Sequence, residues 1–362
     1  RACAKPRQRH RMALTETQLD HISGVLRGLG LAGDPLRPMR LRNLSHEHVQ
    51  VAEYGVLRMP IALPSDLHWT AWADFQAEAY TTLSRLGLAP RFLAALESSQ
   101  ALPNGGALID LVKGRMPALP ADFRRLAHFL ADMHQMPVPM PEMRGLPSFD
   151  NALQRVAQLI SDQGRYVKDA PVSEGVRTAL EDELGWLANF AKSGWVRLGS
   201  PPFGLSLGRI HPGDFLIDPE GAVMLIDVEN CHYGLPTLDV GALSIYPATV
   251  WDMSLQAELS EDDVLGFHVD YLDALDPRLR AQSQPWLAPA RRIATLRVLT
   301  WCCMWLVRHR RPGDQWAADR RPPGIIAHQR GLCQHLTSDN VVHALQSEWQ
   351  DAQGLYARID AL

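Results

Sequence analysis

Hydrophobic positions along the chain follow two periods, a short one near the beginning and a helical one over most of the rest. Over residues 13–30, Leu14, Leu19, Ile22, Leu26 and Leu29 recur at helical spacing until Gly30 and Gly33, which predicts a first helix. Residues 38–62 read as short strands: Met39-Arg-Leu, His48-Val-Gln-Val and Gly55-Val-Leu-Arg-Met. A second helix is expected over 69–86, with Trp72, Phe75, Ala79, Leu83 and Leu86 on one face and Gly87 and Pro90 ending it. Ala107-Leu-Ile-Asp-Leu-Val is a strand candidate. Phe123, Leu126, Ala127, Leu130 and Met133 then place a helix after Pro120. Residues 151–192 hold two helical patterns, broken near 161–164 and 169–171, and the pattern is helical again from residue 260. The segment 291–310 has an apolar centre between basic ends. Its strongly apolar run, 298–307, is too short to cross a bilayer and is expected to be a buried helix. There, Trp301 and Trp305 at i and i+4 could stack on a ligand, but core packing is the expectation, since aromatic pairs at helical spacing mostly fill space. Residues 312–323 read as a loop.

One segment interrupts the helical half. In Leu205-Ser-Leu-Gly-Arg-Ile-His-Pro-Gly-Asp214, and on through Asn230, two apolar runs, Phe215-Leu-Ile and Val223-Met-Leu-Ile, flank Pro219-Glu220-Gly221. Turn residues between two apolar runs predict a hairpin. Asp214 precedes it, and Asp227 and Glu229 follow it. Carboxylates at both ends of one hairpin can converge on a hard divalent cation such as Mg²⁺.

This segment resembles the catalytic loop and metal-binding strand of the aminoglycoside phosphotransferase and choline kinase family. The family loop reads His-Gly-Asp-Leu-His-Pro-Gly-Asn, followed by a hairpin ending in Ile-Asp-Trp-Glu or similar. Gly208, Ile210, His211, Pro212, Gly213, Asp227 and Glu229 match it. The family's first His falls on Leu207, its catalytic Asp on Arg209 and its metal-binding Asn on Asp214. The resemblance extends from about residue 38 to 310. It implies an α+β, two-lobed protein-kinase-like fold: a small N-lobe with an antiparallel sheet (13–112) and a larger, mainly helical C-lobe (113–362). It also implies ATP and Mg²⁺ as ligands. Asp227 would hold the metal with Glu229 or Asp214 assisting, Arg58 would hold nucleotide phosphates, and Glu78 would orient Arg58. Residues 107–112 would be the inter-lobe hinge. Asp239, in Gly234-Leu-Pro-Thr-Leu-Asp239, would brace the catalytic loop. His211 would lie in that loop among the catalytic residues, with a structural role favoured over a catalytic one, and His134 would be a packed or capping histidine. No glycine-rich phosphate loop is visible around Asn43-Leu-Ser-His-Glu-His.

Arg209 decides what chemistry the resemblance allows. The family's Asp accepts the acceptor hydroxyl's proton, and a positioned base is worth about 10²–10⁴ in rate. A guanidinium stays protonated and cannot serve. At ~1.4 kcal/mol per decade, its presence would cost hydroxyl phosphorylation about 3–5 kcal/mol. Arg209 is instead expected to pair with Asp214 or Asp227 and offset the crowded carboxylates. The first reading is therefore a degenerate family member that binds ATP and Mg²⁺, or a protein partner, without efficient turnover. A second is an active kinase in which Asp214 is the relocated base and Arg209 grips an anionic small-molecule acceptor. A third is another ATP-dependent transfer, such as nucleotidylation.

Composition narrows the setting. At 362 residues and 46% apolar content, two lobes with an ordinary core are expected. A net charge of −4 gives no reason to expect nucleic acid or an anionic membrane. Five cysteines without Cys-x-x-Cys spacing argue against a zinc site or a disulfide framework and for reduced thiols in a cytoplasmic setting. Residues 1–12 are basic, lack an apolar core and are expected to be a disordered extension. Lysine is scarce, with none between residues 6 and 112, so Arg58 is one of few cations available to the N-lobe strands.

Overall fold

The computed structural model describes residues 14–31, 33–39, 44–63, 67–100, 102–252, 255 and 257–362. The basic extension expected over 1–12, and Arg40, Leu41 and Asn43 of the first strand region, lie outside them.

The first lobe is a five-stranded antiparallel sheet with two helices. Its strands are β1 (Leu36–Pro38), β2 (His46–Val51), β3 (Gly55–Pro60), β4 (Phe92–Leu96) and β5 (Gly106–Asp110), in the order β1-β2-β3-β5-β4. Helix α1 (Glu16–Gly28) begins at a Thr15–Gln18 capping box. It buries Ile22 and Leu26 against Val49, Val51, Leu57 and Leu108 on one face of the sheet. Fully burying such a side chain is worth about 1.5–3 kcal/mol. Strand alternation turns Val56 and Arg58 to the opposite face, where helix α2 (Trp69–Ser84) packs. All six residues of β3 are buried, as expected of the middle strand.

The helical part begins with α3 (Phe123–His134), α4 (Ala152–Gly164) and α5 (Glu174–Asn189), with one turn at α6 (Trp195–Leu198). Two small hairpin-like pairs follow: β6 (Gly204–Ser206) with β9 (His232–Gly234), and β7 (Phe215–Ile217) with β8 (Val223–Leu225). Helices α7 (Thr237–Ser244), α8 (Tyr246–Val250), α9 (Glu261–Ala274), α10 (Pro277–Ser283), α11 (Leu287–Arg308), α12 (Pro323–Leu336), α13 (Asp339–Gln350) and α14 (Leu355–Asp360) complete it. Helix α11 is apolar nearly all round and packs against α4, α5, α7, α12 and α14, which is how such a helix avoids water. Trp305 is fully buried in that core. Among the described residues no helix is long and apolar enough to cross a membrane.

Most of the predicted elements are present with shifted ends; the first strand is Leu36–Pro38 rather than one starting at Met39, and β4 is not among those expected. The second helix stops at Ser84, so Leu86 lies outside it and is exposed. The long helix starts at Leu287. The described cysteines, Cys231, Cys302, Cys303 and Cys333, are free and buried.

Candidate functional site

The β7–β8 hairpin sets the site. Phe215 pairs with Leu225 and Ile217 with Val223. At the closed end, Asp218 accepts a 2.7 Å hydrogen bond from the Ala222 amide, and Gly221 takes φ +92°, a conformation that favours glycine. At the open end the Ile226 amide donates to the Asp214 carbonyl at 2.8 Å. That bond carries the ladder one step further and sets Asp214 beside the start of Asp227. The two carboxylates that sequence spacing separates by thirteen positions therefore share one end of one hairpin.

The loop before the hairpin is held from beneath. Asp239, fully buried on α7, accepts from the Leu207 amide (2.7 Å), the Gly208 amide (2.9 Å) and the Ser206 hydroxyl (3.2 Å). His134 Nε2 lies 3.3 Å from the same carboxylate, and its Nδ1 is 2.9 Å from the Tyr271 hydroxyl. The bracing role expected of Asp239 and the packed role expected of His134 agree with these contacts. Gly208 has φ +70°, and a Cβ there would stand 2.8 Å from the His232 ring. His211 is also used structurally. Its Nδ1 accepts from the Gly213 amide at 3.0 Å, its own amide donates to Asp214 Oδ2 at 2.8 Å, and its Nε2 lies 3.3 Å from Asp214 Oδ1. Burial, with Arg209 adding to it, pulls the His211 pKa down to about 4.

Arg58 closes the site on the sheet side. Its Nη1 donates to Gln76 Oε1 at 3.1 Å and contacts the Tyr80 hydroxyl, and its Nη2 is 3.2 Å from Asp227 Oδ1 and 3.8 Å from Glu229 Oε1. The Tyr80 hydroxyl donates in turn to the Ile226 carbonyl at 2.9 Å. The expected pairing of Arg58 with Glu78 is not what α2 presents. Positions 76 and 80 share a helix face toward Arg58, whereas 78 is about 200° away from 76 at 100° per residue. Glu78 accepts from Thr82 at 3.3 Å and lies against Gly145, where a Cβ would come within 2.2 Å of its Oε1. Gln76 and Tyr80 were missed in the sequence. The available signal was a polar residue within the buried stripe Trp72, Gln76, Ala79, Tyr80 and Leu83. His46 was missed as well. It pairs across the sheet with Pro60, on the Arg58 face, stacks on Trp72 at 5.7 Å and contacts Glu229 through Nδ1.

The second correction concerns Arg209. It makes no ion pair with Asp214 or Asp227 among the described residues; its Cζ lies 5.7 Å from the Trp301 ring centroid. The Arg209 amide bonds back to the Leu207 carbonyl at 2.8 Å, which fixes where the side chain leaves the loop. Trp301 is core, as expected, yet it also carries this cation. Arg209 still acts on the carboxylates through space, lowering Asp214, Asp227 and Glu229.

Electrostatics divide the three carboxylates. Burial raises Asp227, but Arg58 and His46 outweigh it and hold its pKa at about 2. Burial and the adjacent Asp227 push Glu229 up to about 8, and the same two causes put Asp214 well above the usual carboxylate range. His46 is held well below its ordinary value by burial and by Arg58. His46 and Glu229 thus meet with both groups shifted toward their neutral forms, and Arg58–Asp227 is the buried ion pair.

The donor chemistry suits a divalent cation. Crowded, buried carboxylates that raise one another are what a hard cation relieves, and Mg²⁺ characteristically takes one or two carboxylates together with phosphate oxygens and water. Asp214 and Asp227 are the carboxylates at the open end of the hairpin that could hold it, although Asp214 also faces His211 and Glu229 faces His46. A closed cage of three ligands does not form among the described residues. Beside these groups opens a cavity of about 860 Å³, with His46, Arg209, Asp214, Asp227, Glu229 and Trp301 on its wall.

Comparison with known proteins identifies the family and the fold. The model of the phosphotransferase enzyme family matches residues 49–281. No curated protein sequence matches the chain. Among solved structures, a choline/ethanolamine kinase family protein from Mesorhizobium loti is similar over 96% of this chain and 100% of that one, with 14% identity and a TM-score of 0.56. The GDP complex of wild-type aminoglycoside 2'-phosphotransferase-IIIa is similar over 88% and 99%, at 14% identity and a TM-score of 0.56. An amicoumacin kinase in complex with AMP-PNP, Ca²⁺ and Ami is similar over 91% and 100%, at 14% identity and a TM-score of 0.51. At such identities the structures establish the kinase-like fold, and the family match covers more than half the chain. This chain belongs to the phosphotransferase enzyme family.

Proposed function

We propose that the protein binds ATP with Mg²⁺ in the manner of its family but turns it over poorly, because the group that would activate an acceptor hydroxyl is absent. The observation that carries this reading is Arg209. By the resemblance of the loop it falls at the position of the family's proton acceptor, and its cation lies over Trp301. Asp214 and Asp227 would hold the cation. Bound there, Mg²⁺ would neutralise charge on the terminal phosphates. Arg58 keeps Asp227 ionised and oriented from behind. His211 and Asp239 hold the loop.

Asp214 as a relocated base is the second reading, favoured by its place on the cavity wall and its raised pKa. Against it, one oxygen accepts the His211 amide, and a carboxylate ligating a cation is a poor proton acceptor.

The test is thermal unfolding with ATP, with and without Mg²⁺. Binding to the folded state raises the melting temperature according to RT ln(1 + [L]/Kd). A Mg²⁺-dependent rise is expected, and Asp227→Asn is expected to abolish it. An unchanged melting temperature at millimolar Mg–ATP would overturn the nucleotide-binding reading. Mg-dependent phosphorylation of an acceptor, lost in Asp214→Asn while the ATP shift survives, would instead establish the relocated base.

A further inference from the structure

Two cations beside the loop have no carboxylate partner among the described residues. Arg209 lies over Trp301. Arg297, one turn earlier than Trp301 on α11, gives Nη1 to the Gly208 carbonyl and keeps Nε buried without a partner. Burial, then the charge of Arg209, pull Arg297 down to about 10. Arg297 also feels Asp239, but that carboxylate is occupied by the Leu207 and Gly208 amides. Other arginines on the same cavity wall are already held: Arg165 by Asp162 at 2.5 Å, Arg308 by Asp314 at 2.8 Å, and Arg321 by the Leu44 and Ala317 carbonyls. Next to the two unpaired cations stands an aromatic wall. Trp301 meets Trp251 edge-on at 5.3 Å and Trp316 at 5.7 Å, and all three line the cavity.

We propose that this aromatic half of the cavity takes an organic anion: a carboxylate or phosphoryl group on an apolar, ring-sized body. Arg209 and Arg297 would take the anionic group, and the tryptophans would flank the body. Two guanidiniums within each other's field and short of acceptors are stabilised by an anion placed between them, and the guanidinium fork matches carboxylate and phosphate oxygens. Neutralising the carboxylate cluster does not account for the pair. Arg209 reaches that cluster only through space, and Arg297 brings a second positive charge to the Trp301 side. The assignment rests on the reading that the adjoining carboxylates take Mg–ATP, and it places the organic anion on the acceptor side.

The experiment is calorimetric titration of the full chain with phenylpropionate, phenyl phosphate and phenylpropylamine, each with and without Mg–ATP. Either anion is expected to bind while the amine does not, the tighter anion naming the group. Arg209→Gln is expected to weaken the anion about tenfold with its melting temperature retained. Because Arg297 also supports the loop, Arg297→Gln serves only as a second variant. Equal binding of the amine, or anion affinity unchanged in folded Arg209→Gln, would overturn the proposal. Anion binding without any Mg–ATP response would overturn the nucleotide reading alone, and the reverse pattern would overturn only the anion site.

Discussion

At the residue scale, the site turns on which side chain answers which charge. Arg58 is 1% exposed and serves Gln76, Tyr80, Asp227 and Glu229 together. Replacing it with Met removes one member of a buried ion pair, and such breakages cost about 3–5 kcal/mol. Urea unfolding of Arg58→Met is expected to register a loss of that size. Glu78→Gln, remote from Arg58, is expected to stay within about 0.5 kcal/mol of the parent. The reverse ranking would restore the Arg58–Glu78 pairing that the family resemblance implied. That pairing was misassigned because alignment fixes a residue's place on a helix but not which of its neighbours turns inward. Asp227 was legible from the hairpin pattern alone. His46 was not, since a histidine at a strand start carries no sign that Glu229 will fold back onto it.

At the element scale, the loop at 206–209 depends on α7 beneath it. Removing the Asp239 carboxylate would leave the Leu207 amide buried without an acceptor. It would also strip the Gly208 amide, which keeps only Ser206 Oγ at 3.2 Å, and the Ser206 hydroxyl of their carboxylate partner, at about 1–3 kcal/mol for each group left unsatisfied. Asp239→Ala is accordingly expected to lose about 2–5 kcal/mol and to speed amide exchange at Leu207 and Gly208 before the rest of the domain; unchanged exchange there would refute the bracing role. The β7–β8 hairpin and helix α11 were readable because turn chemistry and a long apolar run are local signals. The extent of α2 was less so. Leu86 continues the apolar spacing beyond the real end at Ser84, and the chain turns away at Gly87, which has φ +72°.

At the scale of the whole molecule, the fold class was legible because a strand-rich beginning and a helical remainder have few compact solutions, and the 205–230 segment selected one of them. How the cavity divides between carboxylates and tryptophans was not, since Arg297 and Trp251 reach it only through tertiary packing. Acid sensitivity is likewise a tertiary property. Buried His268 donates Nδ1–H to the Val264 carbonyl at 2.8 Å, and burial lowers its pKa to about 4. The unfolded chain, with histidine near pH 6.5, therefore binds the extra proton in the window between about 4 and 6.5. Stability is full above that window and falls as pH drops through it. In His268→Asn the slope near pH 5.5 is expected to be shallower by about 1.2 kcal/mol per pH unit, read from urea unfolding; an unaltered slope would assign the acid loss to other groups. The catalytic consequence of Arg209 is measured most directly by ADP release from Mg–ATP in the parent chain and in Arg209→Asp. Parent turnover at background, rising at least about tenfold when the carboxylate is restored, is the expected result. A parent that releases ADP at about 1–100 s⁻¹, with Arg209→Asp no faster, would contradict it.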